Sequence, residues 1–269
     1  MALQRIRYLD SIRVLACMMV ILQHAPHPDA GNPGIVLAPL YFLTAAGIGL
    51  FFMVSGSLLL PVKGETGAFL RWRIGKILWP LLFWTLFYVV VGLLTGGILP
   101  ANLLKSLLSI PFSTQGHGVL WFMYTLVGLY LLAPILSPFL EMASERLLRS
   151  YLLLWAISTC HPILALFLDV NRSTSGMLYY FTGYVGYYVL GYYLHVYNPR
   201  VKTIFLIAMI IIPLVSLAIH RYYSLPGDSF DVFYYLSIMV VVMSFAWFLG
   251  VRSMTERLHL GGGKMVDGD

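Results

Sequence analysis

Long apolar segments dominate this sequence and constrain its fold more than any other feature. A helix of about 20 apolar residues spans the hydrocarbon core of a bilayer, and eight such segments follow one another along the chain. Only 10% of the residues are charged, whereas a soluble domain carries about 25%. The sequence therefore predicts an all-α, polytopic transmembrane bundle of about eight membrane helices, with approximate bounds 8–25, 39–60, 77–97, 119–140, 150–168, 177–196, 203–220 and 231–250.

Short loops join these segments, so we expect one transmembrane domain over residues 1–250. Residues 251–269 include SMTERLHLGGGKMVDGD, which is polar and unlike the rest, and this predicts a disordered or truncated tail. At the other end, Asp10 and Arg13 would interrupt the apolar core of a cleavable signal peptide, and no small-x-small cleavage site follows His24. A retained first helix is therefore expected.

The basic residues predict the orientation of the chain. If the N-terminus is cytoplasmic, thirteen Lys and Arg residues fall on the inner side, and three, Lys105, Arg172 and Arg221, fall on the outer side. This bias follows the positive-inside rule. The net charge of +6 thus reflects topology and does not imply a nucleic-acid partner. We expect a multi-pass protein of the inner (plasma) membrane.

The first segment contains RVLACMMVILQH, which begins with Arg13 and ends with His24. Eleven steps of 100° end about 20° past three full turns, so both side chains lie on one helix face. Asp10, three residues before Arg13, is positioned to pair with it. Two interpretations are open. Arg13 snorkels to the inner interface while His24 bonds to a backbone carbonyl, or the polar face lines a cavity where Arg13 receives an anion and His24 is a titratable base.

The loop KGETGAFLRWRIGK is the most basic inner loop and holds Arg71, Arg73 and Lys76. Three cations within six residues suit a phosphate-rich ligand, because guanidinium groups make bidentate contacts to phosphate. An ordinary positive-inside anchor would have the same composition.

Other residues have simpler interpretations. The small residues of GIGLFFMVSG, positions 47–56, predict close helix packing, and LLKSLLS predicts a short interfacial helix. His117 is expected on the same outer side as His24. Cys17 and Cys160 match no metal or redox spacing and are expected to pack as small apolar residues. No metal site is predicted.

Four stretches, in this order, resemble the acyltransferase family 3 of integral-membrane acyltransferases. They are RYLDSIRVLACMMVILQH, with a basic residue, ten spacers and a histidine, GIGLFFMVSGSLLL, RWRIGKILWP and VLWFMYTLVGLYLLAPIL, with YYVLGYYL as a weaker fifth. The resemblance implies transfer of an acyl group, commonly acetyl, from cytoplasmic acyl-CoA to a hydroxyl of a surface carbohydrate or lipid-linked glycan. The implied partners are acyl-CoA, this acceptor and the lipid bilayer.

The resemblance also implies roles for particular residues. His24 would be the catalytic histidine and Arg13 its motif partner. Arg71 and Arg73 would meet the phosphates of CoA, and Lys76 stands where the family more often has arginine. The remaining substrate-cavity candidates are Asp10, Ser55, His117 and Trp121. The alternative for Trp121 is an aromatic belt at the membrane interface.

Members of the family usually have about ten membrane helices and a late segment similar to S-x-x-x-Y-L-x-H, which this sequence lacks. We therefore expect a chain that is short at its C-terminus. A histidine can act as a general base on the acceptor hydroxyl or carry the acyl group itself, and the sequence leaves both open. The alternative functions are a transporter or exporter of a polar small molecule or glycan precursor, and an inactive truncated acyltransferase.

Overall fold

The computed structural model describes residues 6–25, 37–97, 102–110, 120–168, 177, 181–223 and 234–262. Within these ranges all regular structure is helical and no strand occurs, which confirms the predicted all-α fold. The helices are α1 (Arg7–His24), α2 (Leu37–Thr44), α3 (Ala46–Leu59), α4 (Thr66–Leu94), α5 (Leu103–Ser109), α6 (Trp121–Met142), α7 (Glu145–Ser158), α8 (His161–Leu168), α9 (Val185–Tyr197), α10 (Thr203–Tyr222) and α11 (Ile238–Gly262).

Several stretches are long and apolar enough to cross a membrane, so the chain is an integral membrane protein. In the described part of the chain there are six, not eight: Tyr41–Leu59, Thr66–Leu94, Trp121–Met142, Glu145–Ala165, Thr203–His220 and Ile238–Leu258. Helix α1 does not qualify because its 18 residues include Arg7, Asp10 and Arg13. Helix α9 has 13 residues, about 20 Å at 1.5 Å per residue, which is less than the bilayer core of about 30 Å.

Helix boundaries differ from the predicted segments where polar residues continue a helix. Helix α4 begins at Thr66, so the predicted basic loop is largely the first turns of this helix. No proline lies between Pro61 and Pro80, and nothing else in this stretch prevents helix formation. The predicted short helix at LLKSLLS is confirmed as α5.

The prediction of a disordered tail is wrong for residues 251–262, which continue α11. The Arg252 guanidinium donates to the Glu256 carboxylate at 2.9 Å, one turn further on, and such pairs stabilise a helix. Arg252 also donates to the carbonyls of Leu194 and His195 at 2.8 and 3.3 Å. The polar residues therefore pair within the helix and cap the C-terminal end of α9. Residues 263–269 lie outside the described part.

The chain divides into two compact units. The first comprises Met1–Leu59 with Ala143–Asp269, and the second is Leu60–Met142. In the first unit α3 is central and packs against α9, α1 and α11. In the second unit α4 packs against α6. The prediction of a single domain over 1–250 stays a prediction.

Helices α3 and α9 touch backbone to backbone. A Cβ atom added at Gly56 would lie 1.8 Å from the Tyr188 carbonyl oxygen, and one added at Gly191 would lie 1.9 Å from the Met53 carbonyl oxygen. The Ser57 hydroxyl donates to the Gly191 carbonyl at 2.8 Å. The predicted role of the small residues of GIGLFFMVSG in close helix packing is thus confirmed for Gly56.

Candidate functional site

One face of α1 carries the predicted polar residues. The Arg13 guanidinium lies 3.2 Å from the Asp10 carboxylate, and the two side chains are 49% and 29% exposed, so the predicted pairing is confirmed. The buried face of the helix consists of Tyr8, Leu9, Ile12, Ala16 and Met19. The helix thus packs through this buried face, and Arg13 and His24 are on its exposed side, where several apolar side chains are exposed as well.

Cys17 is also exposed, so its predicted role as a packing residue is wrong. At 100° per residue it lies about 40° from Arg13 and about 20° from His24 around the helix axis. The thiol therefore belongs to the face that carries both residues, between them along the axis.

His24 is oriented by the backbone of its own helix. Its Nδ1 atom lies 2.9 Å from the Val20 carbonyl oxygen. Because a carbonyl oxygen only accepts hydrogen bonds, Nδ1 must carry the hydrogen, and the lone pair of the neutral ring is on Nε2. This is the carbonyl contact that the first interpretation predicted. The same contact fixes the tautomer that a general base requires, so the two interpretations of His24 are compatible.

Contacts at both ends hold α1 in place. At the C-terminal end, the Tyr41 hydroxyl donates to the carbonyl of Ala25 at 3.1 Å, directly after His24. At the other end, the buried Tyr8 hydroxyl is hydrogen-bonded to Nδ1 of His195, and the Arg252 guanidinium lies 4.7 Å from the centre of the Tyr8 ring. Burial, and then the nearby Arg252 cation, lower the pKa of His195, which lies outside the six candidate spans. The neutral ring then accepts the Tyr8 hydrogen.

The basic residues of α4 do not form a single group. Arg73 and Lys76 both lie against the Trp72 ring, with the guanidinium carbon at 4.3 Å and the ammonium nitrogen at 3.7 Å from its centre. Around the axis of α4, Arg73 and Lys76 are about 60° apart, whereas Arg71 is about 140° or more from either of them. Trp72 is 50% exposed. Sequence reasoning did not single out this ring, although its position between two arginines in RWRIGK was a signal for cation–π contacts.

The other predicted residues are distributed over both units. Ser55 lies in α3 of the first unit and is half-buried, but the hydrogen bond to α9 comes from Ser57. Trp121 is the first residue of α6 in the second unit. His117 lies outside the described residues. Within the described ranges no group of three His, Cys, Asp or Glu side chains is placed to hold a metal ion.

The helices and their polar residues define an integral membrane protein with an exposed Arg–His face on its first helix. The family model of the acyltransferase domain, acyltransferase family 3, matches residues 6–262. The match covers nearly the whole chain, so this protein belongs to acyltransferase family 3. Family membership implies acyltransferase activity and an acyl donor. Neither the curated proteins nor the solved structures contain a significant match to the chain.

Proposed function

We propose that this protein is an O-acyltransferase that moves an acyl group, most simply acetyl, from cytoplasmic acyl-CoA to a hydroxyl of a cell-surface carbohydrate or lipid-linked glycan. The plasma membrane would be its site of action. The observation that carries the proposal is His24, which stands at the position of the family's histidine and has its Nδ1 hydrogen directed at the Val20 carbonyl. Nε2 is then the nitrogen available for chemistry.

His24 acts as a general base in this proposal. Its Nε2 removes the proton of the acceptor hydroxyl while the hydroxyl oxygen attacks the thioester carbonyl. The carbon–sulfur bond breaks, and the departing thiolate takes up the proton. A variant of the reaction has Nε2 attack the thioester first, which breaks the carbon–sulfur bond and releases CoA thiolate. The acceptor oxygen then attacks the acyl-histidine, the carbon–nitrogen bond breaks, and the acceptor proton is taken up by the thiolate. Both routes use the same nitrogen, and rapid acid quenching with labelled acetyl-CoA separates them, because only the second gives a labelled enzyme.

Arg13 has a different role from His24 because of their separation. Eleven residues at about 1.5 Å each place the two side chains about 16 Å apart along the axis, so they do not contact one reacting carbonyl together. We assign Arg13 to an anionic part of the donor or to its arm. Asp10, which pairs with the guanidinium, holds it in orientation. The acyl-pantetheine arm would extend along the face towards His24.

We assign Arg73 and Lys76 to the phosphates of CoA. Guanidinium and ammonium groups both favour phosphate oxygens, and the planar guanidinium offers bidentate geometry. Trp72 contacts both side chains and restricts their freedom before the donor binds. Arg71 is directed to another side of α4 and contributes less in this proposal.

The proposal is tested with membranes that contain the protein and matched membranes that lack it. Both are incubated with labelled acetyl-CoA, and the surface glycans are analysed by mass spectrometry. Labelled acetyl groups on glycan hydroxyls only where the protein is present support the proposal. Absence of both labelled glycan and CoA release contradicts it and favours an inactive acyltransferase.

The exposed polar face of α1 would also suit a transporter, since polar residues in membrane helices often mark substrate pathways. Purified protein in liposomes distinguishes this function. Movement of a polar solute or glycan precursor without acyl-CoA, together with no CoA release when acetyl-CoA is added, would favour the transporter.

A further inference from the structure

Gln23, the residue before His24, faces a cluster of tyrosines. This tyrosine cluster consists of Tyr184, Tyr187, Tyr234 and Tyr235, which come from the start of α9 and the segment before α11. The Gln23 side chain is hydrogen-bonded to the Tyr235 side chain. The hydroxyls of Tyr184 and Tyr234 are 3.4 Å apart. All of these residues belong to the first compact unit.

The amide of Gln23 is only partly satisfied by these contacts. Its Oε1 atom is buried, and no group among the described residues donates a hydrogen bond to it. With the oxygen in this place the amide keeps an unsatisfied acceptor, and turning the amide over would put a nitrogen donor there instead. Buried polar groups in proteins nearly always have a partner. A ligand hydroxyl, which both donates and accepts, suits either orientation.

The members of the tyrosine cluster have different surroundings. Tyr187 is fully buried, and its hydroxyl donates to the backbone carbonyl of Tyr235 at 2.6 Å, so it contributes to the stability of the first unit and is not part of the exposed surface. Tyr184, Tyr234 and Tyr235 keep part of their surface exposed. They present ring faces together with hydroxyl groups. Binding sites for small molecules commonly combine aromatic walls with a few polar groups that fix orientation.

We propose that Gln23 and the exposed tyrosines form the subsite that binds the acyl acceptor, a polyhydroxylated molecule such as a sugar. The Gln23 amide and the Tyr235 hydroxyl form hydrogen bonds with one part of the acceptor. A second hydroxyl of the acceptor then lies next to His24. This inference rests on the proposed acyl transfer. The acceptor proton moves to Nε2 of His24, the new oxygen–carbon bond forms as the carbon–sulfur bond breaks, and CoA leaves as the thiol.

The test uses the full-length protein in native membranes, whose own glycans are the acceptor probe, with labelled acetyl-CoA as the donor. Two quantities are measured, the labelled glycan formed and the total CoA released. Their ratio reports how often the acyl group reaches the acceptor instead of water. Gln23→Leu and Tyr235→Phe are each expected to lower this ratio about tenfold, the effect of losing one good hydrogen bond, without a change in the KM for acetyl-CoA.

Two variants are controls. Tyr187→Phe removes the donor to a buried carbonyl, so we expect a lower melting temperature and a wild-type ratio. Tyr222→Phe changes a 69% exposed residue of α10 and should alter neither quantity.

The possible outcomes separate the two proposals. A wild-type ratio for both Gln23→Leu and Tyr235→Phe overturns the acceptor subsite and leaves acyl transfer intact. If these variants instead lose only thermal stability, as expected of Tyr187→Phe, the cluster is structural and the inference is wrong. A wild-type protein that forms no labelled glycan and releases no CoA overturns the proposed function and the subsite together.

Discussion

Replacing Gly56 with alanine tests the contact on which the first unit is built. The added Cβ would lie 1.8 Å from the Tyr188 carbonyl oxygen, whereas a close carbon–oxygen contact is about 3.3 Å. Helices α3 and α9 must therefore separate by about 1.5 Å. Overpacking of this kind costs about 1–3 kcal/mol, and a backbone atom cannot move aside as a flexible side chain can. We therefore expect the overpacking cost of Gly56→Ala to be about 3 kcal/mol, the upper end of that range.

Two further effects nearly cancel in the free energy of unfolding. Separation of the helices weakens the hydrogen bond from Ser57 to the Gly191 carbonyl, now 2.8 Å. This costs about 0.5–1 kcal/mol, because the hydroxyl keeps the Met53 carbonyl, 2.9 Å away, as its other acceptor. Alanine regains about 1 kcal/mol of helix propensity over glycine. The net loss is therefore about 3 kcal/mol, which corresponds to a melting temperature about 6–12 °C lower in a protein of this size.

The assay is thermal unfolding of the purified protein in detergent, followed by tryptophan fluorescence. The matched control is Gly250→Ala in α11, where an added Cβ meets nothing within 4 Å and a small gain in stability is expected. If Gly56→Ala melts at the same temperature as Gly250→Ala, the direct backbone contact between α3 and α9 is wrong.

Two further predictions concern the donor. Replacing Arg73 and Lys76 together with alanine should raise the KM for acetyl-CoA about tenfold, since exposed charge pairs contribute up to about 1 kcal/mol each. Arg71→Ala should raise the KM for acetyl-CoA less than about threefold. Steady-state kinetics measures both values, and an equal increase in KM for the two variants would contradict the assignment of Arg73 and Lys76 to the CoA phosphates. With Cys160 replaced by serine, Cys17 should react with N-ethylmaleimide, and saturating acetyl-CoA should slow labelling as measured by mass spectrometry. Labelling unaffected by acetyl-CoA would argue against the Arg13–His24 face as the path of the acyl arm.

Local patterns predicted the parts of the site that depend on one helix alone. The spacing of Asp10, Arg13 and His24 required only the helical repeat, and the structure contains the Asp10–Arg13 pair. The prediction of a basic loop before the third apolar segment was wrong. Hydropathy identifies apolar segments, whereas a helix can continue through polar residues, as α4 does. The prediction of a disordered tail failed at residues 251–262 for the same reason, because α11 continues through polar residues there and Arg252 pairs with Glu256 one turn further on.

Contacts between distant segments could not be predicted from one sequence. Tyr8 and His195 are separated by 187 residues, and neither carries a local signal of its partner. The same is true of Gln23 and Tyr235, because pairing across a bundle depends on how the helices pack and not on spacing along the chain. Among the described residues there are also fewer candidate spans than predicted, because the apolar pattern at 177–196 did not reveal that the helix there begins at Val185.

The most direct test of the account is the single-turnover rate of acyl transfer by His24→Ala in native membranes with labelled acetyl-CoA. His161→Ala, in α8, is the histidine control, and the membrane content of each variant is measured in parallel. Removal of a general base is expected to slow transfer at least about 100-fold with normal insertion, while His161→Ala transfers at the wild-type rate. Wild-type acyl transfer by His24→Ala would contradict the central claim that His24 performs the chemistry.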